Sequence, residues 1–292
     1  MTAPATLLPG PVPAAAARKR RVRNRYLRGL ATPRGIIGLA LVGLVLAAGL
    51  AAPLLTSYDP NFQTADALLS PGSGGHLWGT DELGRDLLSR LLYGIRADLL
   101  VVLAGVPIAA LAGCSLALLA TAHRAADVAV QRLFDLILSF PGLILGLTVT
   151  AVMGVGRGTV IVVIALIETP GFGRLLRGAI LVHRDREYAV AARVGGAGPL
   201  RLLTRHVLPN AADPVVVHFA LAMSVAVILE GAMSFIGIGI RPPEAALGAT
   251  LAASRPYLED HPAYALGPLV VITALVVGLN LIAEALNRGA RR

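Results

Sequence analysis

Six predominantly apolar stretches, each about as long as a lipid bilayer is thick, constrain this 292-residue chain more than any other feature. They cover residues 36–55, 97–120, 129–153, 158–180, 214–237 and 264–286. A helix rises 1.5 Å per residue, so about 20 apolar residues cross a ~30 Å hydrocarbon core. Lipid satisfies no backbone hydrogen bonds, and runs of this length close them internally only as helices. The expected class is therefore all-α and polytopic, with six transmembrane helices. Ser139-Phe-Pro-Gly142 and Glu168-Thr-Pro-Gly171 interrupt the third and fourth stretches, and each predicts a kink. The 55% apolar content agrees, since soluble domains hold about 45–50%.

The connections divide the chain into three regions. Residues 1–35 open Ala/Pro-rich and continue with Lys19 and seven arginines between 18 and 34; they read as a disordered, basic N-terminal segment. Residues 36–96 hold the first span, read as uncleaved, and an extracytoplasmic amphipathic segment. In that segment Thr80 is placed to cap a helix with Asp81 and Glu82 in its first turn. Leu83, Leu87, Leu88, Leu91, Leu92 and Ile95 then recur at helical spacing, the pattern of a helix lying on the membrane surface. Residues 97–292 form a five-helix core. The alternating connections, taken with both termini inside, carry 20 of the 26 lysines and arginines, against 6 on the other side. The excess of basic residues marks the cytoplasmic side. Both termini, and the polar loop 184–210, are thus expected in the cytoplasm.

Composition also excludes. Lys19 is the only lysine and sits in Arg18-Lys-Arg-Arg, so these residues contain no phosphate-binding loop with its Gly-rich turn before a lysine. Any ATP site is expected on another polypeptide. Aromatic residues are 4%, which offers no stacking platform beside the basic residues, and no nucleic-acid role is read. Cys114 lies in an apolar run and reads as a small packing residue. No histidine, cysteine or carboxylate set has metal-ligand spacing; no cofactor and no catalytic residue are expected.

The longest Arg-rich segment after residue 100 runs from Glu187 to Asn210. It admits three readings: a solvated loop, a basic strip on lipid headgroups, or a docking element for a soluble partner. Asp185 is positioned to cap a helix carrying Glu187 in its first turn. Ala189, Ala191 and Ala192 keep that helix's surface small, Gly195 and Gly196 break it, and Pro199 suits the first position of a second helix. That helix carries Arg201, Arg205 and His206 toward Pro209-Asn210. A headgroup strip pairs its arginines with large apolar residues on the opposite face, and the Ala/Gly-rich half does not.

This stretch resembles the EAA loop of membrane subunits of binding-protein-dependent ABC importers. Four further segments narrow the resemblance to the C-type subunit of the dipeptide/oligopeptide/nickel permease group. They are Gly79-Thr-Asp-Glu-Leu-Gly-Arg-Asp-Leu-Leu-Ser-Arg90, Phe134-Asp-Leu-Ile-Leu-Ser-Phe-Pro-Gly142, Arg205-His-Val-Leu-Pro-Asn210, and Met233-Ser-Phe-Ile-Gly-Ile-Gly239 with Pro242-Pro243. The chain departs from the pattern at Val190, in place of the motif's naming Glu, at Thr169, in place of a Trp, and at Leu247 and Ala283-Glu284. The resemblance implies a type I ABC importer permease fold with a cytoplasmic coupling helix, in a bacterial inner membrane. It implies as partners a second, related permease, two cytoplasmic ATPases, and an extracytoplasmic or lipid-anchored substrate-binding protein. The function implied is a transport subunit, not an enzyme, that imports di- or oligopeptides; nickel chelates and haem are the alternatives within the group. Carried over by position, the residues coupling to the ATPase are Glu187, Tyr188, Ala191, Ala192, Gly196, Arg205, His206, Pro209 and Asn210. Ala191, Ala192 and Gly196 would permit close approach, while Arg205 and His206 would bond either to the ATPase or to local carbonyls.

Ionisable residues at membrane depth form a second candidate set, because a charge there is costly unless paired or hydrated. Asp135 and Glu284 lie near the ends of their spans and are expected to reach the interface, and His218 reads as a packing residue. Glu168, beside Pro170, and Glu230, two-thirds along its span, are candidates for the translocation path. The buried carboxylates also admit a proton-coupled secondary transporter, although the chain lacks the internal repeats typical of that class.

Overall fold

The computed structural model describes residues 25–121 and 123–291 and contains, among these, helices and loops without a β-strand. Five helices are long and apolar enough to span a membrane: α1 (Pro33–Leu50), α2 (Leu87–Ala120), α5 (Arg157–Arg184), α7 (Asp213–Phe235) and α9 (Pro262–Arg291). The third expected span is two helices, α3 (Arg124–Leu138) and α4 (Gly142–Met153), bent by 92° at the break; taken as one span they make six. Two shorter helices of eight residues, α6 (Glu187–Val194) and α8 (Leu247–Ser254), lie in the connections, with a few briefer turns.

Local sequence sets the boundaries. Thr32 caps α1, its Oγ1 accepting from Gly35 N–H at 3.3 Å, with Pro33 in the first position, where its missing N–H costs nothing. At 139–141 the chain turns because Pro141 offers no N–H and disfavours helix for Phe140. The second Pro-Gly site behaves differently: α5 runs continuously through Pro170. Thr169 there donates to Ala165 O at 2.6 Å, and α2 packs along α5 on both sides of the proline, Gly105 against Ile164 and Gly113 against Phe172 and Gly173.

Helices α2, α5, α7 and α9 enclose the main core, which includes Val102, Val106, Ile164, Phe172, Met233 and Leu275. Where α1 crosses α9, Gly38 and Gly278 bring the backbones together: a Cβ on Gly38 would stand 2.7 Å from Gly278 O. In lipid, with no hydrophobic drive between helices, such close contact supplies the attraction.

Two expectations about the connections change. Residues 25–30 are helical, not disordered; residues 1–24 of that expected segment lie outside the described ones. The amphipathic segment is not a separate surface helix. Residues 80–86 form a tight loop, and 87–96 are the first turns of α2, capped by Asp86, whose carboxylate accepts from Ser89 N–H at 2.7 Å. Leu87, Leu91, Leu92 and Ile95 are buried in the protein rather than laid on lipid. Asp81 is fully buried and staples the loop: Oδ1 accepts the N–H groups of Leu83 and Arg85 at 2.9 Å, and Oδ2 accepts from Arg85 Nε at 2.6 Å. Arg90 approaches the same carboxylate at 3.5 Å and donates to Pro60 O at 2.9 Å. Tyr264 of α9 closes the cluster by donating to Glu82 at 2.6 Å.

Candidate functional site

The stretch 187–210 is built as a two-sided element. Helix α6 has no side-chain cap; its first turn opens at Arg186, while Asp185, expected as the cap, ends α5 and lies 3.6 Å from Arg184. Tyr188 bonds to His183 Nδ1 at 2.9 Å, fastening α6 to the end of α5. Ala189 is fully buried and joins Ala117 of α2, Leu176 and Ile180 of α5, Val207 and Ala211 in a compact satellite core. Glu187, Val190, Ala191 and Val194, at helical spacing, face outward, and Val194 is 85% exposed. Thus one face of this helix is fixed to the membrane helices and the other, small and apolar after Glu187 in its first turn, is uncovered. Ala192 is half-buried between them.

The helix ends at Gly196, whose φ of +83° lies in the left-handed region. Gly196 N–H donates to Arg193 O at 3.1 Å and Ala197 N–H to Ala192 O at 3.0 Å, the paired bonds of a Schellman ending. No atom lies within 4 Å of where its Cβ would be. Within this chain, its requirement for glycine comes from backbone conformation.

Pro199 opens the second limb. The backbone then widens into a π-helical turn at Leu202–Val207, where Leu208 N–H reaches back to Leu203 O. Pro209 accounts for this. Its ring would clash with the carbonyl four residues earlier, that of Arg205, so the turn opens. Asn210 caps locally, its Nδ2 donating to His206 O at 2.7 Å. Arg205 is exposed and makes no ion pair among the described residues; His206 is half-buried. Of the two roles open to Arg205 in the sequence, capping belongs to Asn210.

The ionisable residues of the spans separate into three environments. Asp135 pairs with Arg174 at 2.6 Å, and Glu284 with Arg34 and Arg288, all at exposed positions. Glu230 is 1% exposed and enclosed by its own subunit: Ser234 donates to it at 2.6 Å, and Ser234 Oγ accepts from Ile240 N–H at 2.9 Å. Asp98 of α2 faces it and accepts Leu247 N–H at 3.0 Å, anchoring the start of α8. Asp98 is the functional-looking acid that sequence reading misses; its partner is 149 positions away, and nothing local signals it. Glu168 is buried on α5, 3.9 Å from His218 of α7. At the first residue of α7, Tyr26 donates to Asp213; burial and that carboxylate push its hydroxyl well above the usual phenol range.

The family described as "Binding-protein-dependent transport system inner membrane component" matches residues 105–292. The chain is 38% identical over 273 residues to a di/tripeptide transport system permease protein, DppC, of Pseudomonas aeruginosa, covering 90% of each. The chain belongs to this family. The permease is also 34% identical to a glutathione transport system permease protein, GsiD, of Pectobacterium atrosepticum, over 90% of this chain and 87% of that one. A solved structure of the MetNI methionine ABC transporter in an inward-facing conformation superposes with a TM-score of 0.56, covering 69% of the permease and 95% of that chain. At 19% identity this likeness shows the fold, which is that of an ABC importer's membrane subunit.

Proposed function

We propose that the permease forms half of the translocation path of an ATP-driven importer of di- or oligopeptides, and that 187–210 is where a cytoplasmic ATPase grips it. The observation that carries this reading is the two-sidedness of α6. Its exposed face presents Glu187, Val190, Ala191 and Val194 to a partner, while Ala189 and Tyr188 bind it to the ends of α2 and α5. A push on the outer face would then reach the spans through packed side chains, because cores are stiff. Val190, standing where the family pattern has Glu, makes the presented face more apolar. Arg205, exposed on the second limb, supplies a free cation for a carboxylate of the ATPase, while His206, Pro209 and Asn210 shape the turn that presents it.

The charge asymmetry supports a cytoplasmic position for this element and for both termini. The absence of a phosphate-binding loop supports hydrolysis by two partner ATPases. A second, related permease would supply the other half of the path, and an extracytoplasmic binding protein would deliver substrate. The peptide class is supported by the relatives, which are named as di/tripeptide, peptide and glutathione permeases. Of the two residues read as translocation-path candidates, the geometry favours Glu168, because Glu230 is closed inside its own subunit.

The test is reconstitution of the permease with co-purified partners and measurement of ATP-dependent peptide uptake. Uptake that requires both ATP and the ATPase supports the reading; a transport-active preparation without any ATPase overturns it.

A further inference from the structure

Glu168 and His218 serve no part of the coupling element, and His218 sits beside open space. His218 Nε2 is turned toward the Glu168 carboxylate, 3.9 Å away, and makes no hydrogen bond among the described residues. Gly171, one turn along α5 from Glu168, makes room for the ring: a Cβ there would stand 2.7 Å from Nε2. Phe172 holds the ring edge-on, with centroids 4.7 Å apart. The same imidazole lines a cavity of about 470 Å³ together with Leu175 of α5, Asp213, Val217 and Leu221 of α7, and Asn287 of α9.

The chemistry of this lining is one-signed. Asp213 contributes a carboxylate in its wall, and Glu168 a second carboxylate behind the imidazole. No lysine or arginine is among the lining residues; the cation at the rim, Arg25, is turned to the carbonyl of Ala290. Asp213 accepts one bond from Tyr26 at 2.5 Å, and a carboxylate has about four acceptor positions, so acceptor capacity remains for a second donor. Glu168, within its span, is the kind of acid tolerated where water or a cation meets it, not against lipid; Asp213 stands at the first position of α7. An aliphatic-walled space with acid at its wall selects for a positive charge attached to an apolar body.

We propose that this cavity is a station on the translocation path that receives the cationic end of a peptide, its α-ammonium or a basic side chain. Asp213 meets the charge, His218 lines the wall beside it, held by Phe172 and Gly171, and Glu168 adds a second carboxylate behind the ring. The proposal rests on the peptide-importer reading above and adds the residues and the charge preference of the path.

The permease's single cysteine, Cys114, allows a direct test in the assembled transporter. In a Cys114→Ser background with Leu221→Cys, labelling is followed with two membrane-impermeant methanethiosulfonates of similar size, one cationic and one anionic, applied to both faces. The expected result is a cationic-over-anionic rate ratio of about tenfold, the scale of electrostatic focusing in a one-signed cleft. An imported peptide with a free ammonium slows the cationic reagent, and adding Glu168→Gln with Asp213→Asn brings the two rates together. Val217→Cys repeats the measurement if Leu221→Cys does not assemble. Equal rates, no labelling by either reagent because lipid or the second permease fills the space, or labelling unaffected by peptide would overturn the proposal. Each of these with ATP-driven peptide uptake intact defeats the station alone; failure of the parent transporter to import any peptide defeats the importer reading.

Discussion

Gly196 separates two explanations that a single substitution would confuse. With φ at +83° and a Schellman ending on α6, any L-residue with a Cβ pays about 1–2 kcal/mol of backbone strain there. Asparagine tolerates the left-handed region best. Because nothing lies within 4 Å of the Cβ position, this strain is the whole cost within the permease and is nearly independent of side-chain size. A strain of 1–2 kcal/mol shifts a local equilibrium roughly 5–30-fold, enough to fray an eight-residue helix that isolated chains do not sustain. A partner seated over the loop would add a term that grows with size. The series Gly196→Asn, Gly196→Ala and Gly196→Arg therefore distinguishes the two. The assay is peptide uptake and ATP hydrolysis in proteoliposomes, normalised to permease in the membrane. Docking predicts near-normal uptake for Asn, partial loss for Ala, and for Arg a loss at least about tenfold beyond Ala, that is about 1.4 kcal/mol more, with insertion intact. Equal loss for Ala and Arg would refute docking at this position and leave only the helix ending.

Two further substitutions test the buried polar clusters around Asp81 and Glu230. Asp81→Ala removes the carboxylate shared by the buried Arg85 and Arg90 and leaves Arg85 only its longer 3.6 Å pair with Glu82, which costs about 3–5 kcal/mol; limited proteolysis should then cut within 56–86, and an uncut loop would show that the staple is dispensable. Glu230→Ala removes the acceptor of Ser234, about 1–3 kcal/mol, and should lower the thermal transition of the purified protein, whereas Glu230→Gln, which keeps an acceptor oxygen, should lower it less. Identical transitions for both variants would contradict the enclosed geometry.

The spans were legible because a 20-residue apolar run needs no knowledge of its neighbours. Pro141-Gly142 announced a bend, but its 92° depends on packing, and Pro170-Gly171, the same dipeptide, stays within a continuous helix. Thr80 was misread because acids after a Thr mark both a helix start and a carboxylate-stapled loop. What decided for the loop is Arg85 returning to Asp81, with Arg90 beside it. Periodicity from Leu87 onward was read correctly as helical and wrongly as lying on lipid, since sequence does not say what covers an apolar face. Asp98 could not be paired with Glu230 before the chain was folded. In the loop itself, the breaks at Gly195-Gly196 and Pro199 were visible in sequence. That Ala189 is the inward residue, and Ala191 and Val194 outward ones, needed the packing of α6 on Ile180 and Val207.

The central claim is that the outer face of α6 meets an ATPase. Single cysteines at Val194, which is 85% exposed, and at Ala189, which is fully buried, in a Cys114→Ser permease co-expressed with its ATPase test it by bifunctional crosslinking. The account predicts an ATPase adduct from Val194→Cys that changes in yield with ATP, and none from Ala189→Cys. No adduct from Val194→Cys in a transporter that still hydrolyses ATP during peptide uptake would contradict it.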